Sequence, residues 1–169
     1  MIDRPAQQRW HLSYKADPRA RAIADRHYNR QKVGAKQFVP PGRCLVLLTE
    51  NADALWITSW PFGEYVRHAW PGAWVCSCFR NESPHLSSEL IVEAVAATRA
   101  FFGVAPKQGF ITFVDTKKTR KKRDPGRCYR RAGWSVVGCT QGGLVALQLA
   151  PASMPMALAA LPAVTGDAT

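Results

Sequence analysis

The order of apolar runs and breakers along the chain predicts a mixed α/β fold: a central, mostly antiparallel sheet flanked by helices, with one parallel strand–helix–strand crossover. Three observations carry that prediction. Ile91, Ala94, Val95, Thr98, Phe101 and Phe102 recur at helical spacing within Ser87 to Phe102. That stretch lies between two apolar runs of strand length, Trp74 to Arg80 and Gly109 to Val114. Paired runs flank the unit on both sides and read as hairpins: Arg43 to Thr49 with Ala54 to Trp60, and Trp134 to Cys139 with Leu144 to Leu149.

Taken in order, Asp17-Pro18 marks the first helix, a capping side chain followed by proline at the first helical position. Its apolar pattern runs to about Tyr28. Gly34 and Pro40-Pro41-Gly42 bracket a loop rich in amide and basic groups. Glu50-Asn51-Ala52-Asp53 splits the first hairpin, and Pro71-Gly72 turns into the next strand. Glu89 favours the positive end of the long helix, and Gly103 stands just past its last residue. A short helix is expected over Gly126 to Ala132, closed by Gly133. The reading is one domain over 1–150, then an Ala/Pro-rich tail over 151–169, expected to be loosely held. The crossover strands are expected to be parallel neighbours joined in a right-handed sense.

The chain has 169 residues, 47% of them hydrophobic, enough for one core. Its longest late apolar stretch, Met154 to Val164, is broken by Pro155 and Pro162 and is too short to span a bilayer. No membrane partner and a cytoplasmic location are expected. The five cysteines (Cys44, Cys76, Cys78, Cys128 and Cys139) are odd in number and contain no Cys-x-x-Cys pair, which signals neither a disulfide framework nor a zinc ribbon. Cys76 and Cys78, at strand spacing, are expected on one face as small buried hydrophobes. Net charge is +11, and Lys117 to Arg131 holds nine Lys or Arg residues against Asp124 alone, a local charge of +8. Lys117, Lys118, Arg120, Lys121, Lys122, Arg123, Arg127, Arg130 and Arg131 thus form one basic run suited to a polyanion such as double-stranded DNA. A solvated basic loop is the plainer alternative.

Cys128-Tyr129-Arg130-Arg131-Ala132-Gly133-Trp134 resembles the late motif of the acetyltransferase (GNAT) superfamily, whose element order the chain also matches. Several short motifs resemble the Mom family of phage DNA-modification proteins more specifically. They are His27-Tyr28, Phe79-Arg80-Asn81-Glu82, Ser87-Ser88-Glu89, Phe113-Val114-Asp115, Arg123-Asp124-Pro125-Gly126-Arg127 and Tyr129, covering about Asp25 to Leu149. The resemblance implies a GNAT-like fold and transfer of a carbamoylmethyl-type group to the exocyclic amine of adenine, shielding phage DNA from restriction. It also implies a small-molecule group donor, acetyl-CoA or another acyl compound, and a metal, iron, at His27, Tyr28 and Asp115. One departure concerns the donor. The loop Asn81-Glu82-Ser83-Pro84-His85-Leu86 lacks the glycines whose backbone N–H groups cradle a CoA pyrophosphate.

The candidate catalytic residues each have a structural alternative. His27 and Tyr28, adjacent on a helix, diverge by about 100° and converge only where the helix ends; otherwise Tyr28 packs and His27 is solvated. Asp115, at a strand end, suits a base or metal ligand, or caps the turn at Thr116-Lys117. Arg80 suits an acyl carboxylate, a phosphate, or Glu82. Ser88 either donates to a reacting carbonyl or starts the helix. Asp124 before Pro125-Gly126 is otherwise a turn or cap residue. Tyr129 protonates a leaving group or packs as an aromatic. Trp60, Trp70 and Trp74, near turns, are stacking surfaces or core. Three functions follow: a DNA base-modifying transferase, an acetyl-CoA-dependent N-acetyltransferase for a small amine or protein, and a non-catalytic nucleic-acid binder.

Overall fold

The computed structural model describes residues 3–28, 30, 32–35, 37–63, 66–119 and 124–164. Its elements in chain order are β1 (Trp10–Leu12), α1 (Pro18–Ala24), β2 (Arg43–Thr49), β3 (Ala54–Trp60), β4 (Trp74–Asn81), α2 (Ser87–Phe102), β5 (Phe110–Val114), α3 (Arg127–Arg131), β6 (Ser135–Cys139) and β7 (Val145–Leu149). The strands form a seven-stranded sheet in the order β1-β2-β3-β4-β5-β7-β6. Every neighbouring pair is antiparallel except β4 with β5, which run parallel with α2 between them in sequence. The fold is therefore mixed α/β, and the crossover strands are parallel neighbours as their spacing predicts. No helix of the described residues is long and apolar enough to cross a membrane.

α2 buries Leu90, Ile91, Ala94, Val95 and Ala97 against Trp56, Trp74, Phe110, Leu147 and Leu149 on one sheet face. α1 covers the other face, packing Ala20, Ile23 and Ala24 on Val46, Leu48, Leu55 and Ile57. Asp17 caps α1, accepting from the Arg19 amide at 3.0 Å and the Ser13 hydroxyl at 2.8 Å. The helix stops at Ala24, earlier than the expected Tyr28. After Asp25 the ladder tightens: the Arg26 amide donates to Ile23 and the His27 amide to Ala24, each at 3.0 Å, three residues back rather than four. His27 and Tyr28 thus lie beyond the helix, where adjacent side chains are free to converge.

Two further expectations give way. Cys76 and Cys78 are both buried, but Cys76 packs on the α2 face and Cys78 on the α1 face. The pairing with β3 slips between Ile57 and Thr58, which face Cys78 and Cys76, so Ser77 is an extra residue. A bulge of this kind reverses the alternation of side chains. The segment after Pro151 is not loosely held through residue 164. Met154 is fully buried, the Leu158 amide donates to Ala96 at 3.1 Å, and Arg99 donates to the Pro155 carbonyl at 2.8 Å. Leu161 also closes the outer edge of β1, its amide donating to Trp10 and its carbonyl accepting from Leu12, both at 2.9 Å.

Gly109 leads into β5 at φ +66, and a Cβ there would collide with the backbone oxygen of Leu149. Gly109→Ala combines a left-handed backbone with a clash against a strand that cannot yield. A loss of more than about 1 kcal/mol of unfolding free energy is expected, read by urea denaturation.

Candidate active site

The parallel pairing of β4 and β5 covers Trp74 to Cys76 against Phe110 to Thr112 and goes no further. Beyond it β4 continues with β3, and β5 with β7. A cavity of about 400 Å³ occupies this opening, past the carboxyl ends of the two parallel strands. Phe79, Arg80 and Asn81 come from β4, Val114 from β5, and Lys118 and Thr119 from the turn after it. Gly126, Cys128 and Tyr129 come from α3 and its start, Ser87 from the first turn of α2, and His27 and Tyr28 from the segment after α1. No carboxylate is among these lining residues, which include Arg80, Lys118 and His27.

His27 and Tyr28 stack, with ring centroids 4.5 Å apart and planes 29° from parallel. The Tyr28 hydroxyl is held by the backbone of Asp115, and burial raises its pKa, so the phenol keeps its proton. Tyr129 lies deeper. Gly126, at φ +82, turns the chain into α3, and the Tyr129 hydroxyl meets the Cys76 sulfur at 3.6 Å. Burial drives this phenol well above its ordinary pKa and the Cys76 thiol up with it. Both groups therefore stay protonated near neutral pH.

Arg80 is oriented by Glu82, which accepts from its Nε at 2.7 Å. Arg26 grips the same carboxylate from the other side with two bonds of 2.8 and 2.7 Å. The Arg26 hydrogen bond is the main cause holding the Glu82 carboxyl at about 2, with Arg80 assisting. Because this pKa is depressed from its ordinary 4.5, the bridge is fully formed above pH 4.5 and is lost as pH falls through about 2. An NMR titration of the Glu82 carboxyl carbon is expected to show that low midpoint. In Arg26→Ala the midpoint should climb toward 4.5; an unmoved midpoint refutes the bridge.

The cavity thus gathers four of the seven residues expected to be catalytic: His27, Tyr28, Arg80 and Tyr129. The other three do not line it. Ser88, one residue and about 100° round the helix from Ser87, faces a separate groove with Arg9, Glu89 and Arg131. Ser87 takes its place, accepting from the Asn81 side chain at 3.0 Å. Asp115 is spent on its turn, its Oδ1 accepting from the Lys117 and Lys118 amides at 3.0 and 3.1 Å. Asp124 pairs with Arg130 at the surface. Of the basic run, Lys117, Lys118, Arg127, Arg130 and Arg131 are exposed. Arg120, Lys121, Lys122 and Arg123 lie outside the described residues.

The expected iron site fits these groups poorly. The Asp115 Oδ1 is turned to two backbone amides. Among the described residues no three of His, Cys, Asp or Glu converge as metal ligands. Sequence reasoning missed the roles of Asn81 and Ser87. The available signal was an amide at a strand end shortly before a helix whose N-cap residue, Leu86, offers no capping side chain. No protein-family model matches the chain, and no curated protein or solved structure matches it.

Proposed function

We propose that this chain is a group transferase of GNAT-like architecture that modifies the exocyclic amine of adenine in DNA, as its resemblance to the Mom family implies. The observation that carries the reading is the cavity at the splay of β4 and β5, whose described lining residues include no carboxylate but a histidine, two protonated tyrosines, an arginine and Lys118 of the basic run. Adenine's amine is a weak nucleophile because its lone pair is delocalised into the ring. Transfer needs its proton removed as the new bond forms, and charge on the incoming group stabilised.

In this reading the amine nitrogen bonds to the carbon of the incoming group while that carbon's bond to its leaving group breaks. His27 takes the amine proton, Tyr129 gives its phenolic proton to the leaving group, and Arg80 faces the anionic part of the donor. In duplex DNA the base must leave the stack, costing a few kcal/mol that phosphate contacts offset. The 81–86 loop has no glycine and carries Pro84 and Glu82, which favours a small-molecule donor other than acetyl-CoA.

The second reading is a CoA-dependent N-acetyltransferase, favoured by the protonated Tyr129 beside a strand splay and the uncapped first turn of α2. Nucleosides from cells expressing the chain, digested and weighed by mass spectrometry, separate the two. An adenine mass shift is expected with the wild type and its loss with His27→Ala, at unchanged thermal stability. Unmodified DNA together with acetyl transfer from CoA to an amine establishes the second reading. Binding without either activity leaves a nucleic-acid binder.

A further inference from the structure

On the sheet face that carries α1, three rings stand apart from the main core. Phe113 of β5 lies with its ring 5.3 Å from His68 and 6.1 Å from Trp70, and His68 and Trp70 are themselves 6.1 Å apart. All three are half-buried, and Trp70 and Phe113 rest on Ala73, Ile111 and Ala146. The Trp70 amide donates to His68 Nδ1 at 3.0 Å, which fixes the two rings on one loop. Exposed cations flank them: Arg67 precedes His68, and Lys117 follows Phe113 in the turn after β5.

Position gives the cluster its meaning. Side chains alternate along β5, so Phe113 faces this cluster while its neighbour Val114 lines the cavity. The bulge at Ser77 puts Val75 and Cys78 on the same side, which makes this the face from which His27 and Tyr28 reach the cavity. A strand of nucleic acid passing the end of β5 therefore meets the cavity and the rings in succession.

We infer that His68, Trp70 and Phe113 form a stacking platform for an unpaired nucleobase next to the one held in the cavity, with Arg67 and Lys117 on the adjoining phosphates. The inference rests on the DNA reading above. Aromatic faces beside basic side chains are the general means of holding single strands, because every base has a face to stack. Lys117 and Arg67 supply the charge complementarity to the phosphates, and the rings add what charge alone lacks, a preference for unstacked bases.

The test is binding of a fluorescein-labelled oligodeoxythymidylate and of a duplex of equal length, each over a series of salt concentrations. Trp70→Ala is expected to weaken single-strand binding roughly ten-fold or more while leaving its salt slope unchanged. Trp70→Phe should restore most of the affinity, and Lys117→Ala should instead flatten the slope by about one. Phe113→Leu, which keeps apolar bulk over Ala146, covers the case in which Trp70→Ala fails to fold. Wild-type affinity in both folded ring variants overturns the platform and leaves the DNA reading standing. A wild type that binds neither oligonucleotide overturns both.

Discussion

Arg9→Ala is expected to lower the unfolding free energy by about 3–5 kcal/mol, the usual cost of stripping a buried carboxylate of its partner. Glu93 projects from the middle of α2 and is only 2% exposed. The Arg9 guanidinium grips it through Nε at 3.1 and 3.2 Å and through Nη2 at 2.5 Å, and the Arg9 amide adds a bond of 2.9 Å. Glu93 and, secondarily, Glu89 raise the guanidinium pKa. Truncating the arginine leaves only the amide to compensate the charge. The double variant Arg9→Met, Glu93→Leu, of similar bulk and without charge, should recover most of the loss. Chemical denaturation of the three proteins decides the matter, and a single variant as stable as wild type would mean that water replaces the guanidinium.

Tyr129→Phe is expected to cut the rate of transfer by about 10²-fold or more, the usual contribution of a positioned proton donor. The fold should barely notice. The hydroxyl meets the Cys76 sulfur at 3.6 Å, and losing one such bond costs about 1 kcal/mol. The ring, packed edge-on against Phe79 and Trp134, is retained. Single-turnover modification of DNA, measured beside a thermal melt, separates chemistry from packing. A full rate in the variant removes Tyr129 from the proton-transfer role.

What the sequence made legible was whatever local chemistry decides. α2 spans Ser87–Phe102 as its apolar spacing and Gly103 require, and β2 and β3 match their runs residue for residue. What it concealed depends on distant partners. β1 has three residues and no punctuation of its own; it exists because Thr49, Leu48 and Leu47 pair with it on one side and Leu161 on the other. The bulge at Ser77 is a mismatch between strands, invisible in either alone. The same limit governs the site. His27, Tyr28, Arg80 and Tyr129 were legible as chemistry-bearing groups in short motifs, and the splay gathers them. Ser88 and Asp124 sit in equally suggestive motifs, but one helical step and one surface arginine turn them elsewhere.

The clasp at the edge of β1 has a consequence for how the molecule comes into being. His11 and the Pro162 carbonyl that meets its ring at 2.8 Å are separated by 151 residues. On the ribosome, where chains emerge at roughly 5–20 residues per second, the first strand waits many seconds for the residue that seals it. Until then its outer amides are bare, and an open strand edge recruits whatever strand comes near. Chains stopped after residue 150 should stay in that condition permanently, going into inclusion bodies where the longer chain does not. The solubility of nascent chains of increasing length should therefore rise abruptly once residues 158–162 have cleared the exit tunnel.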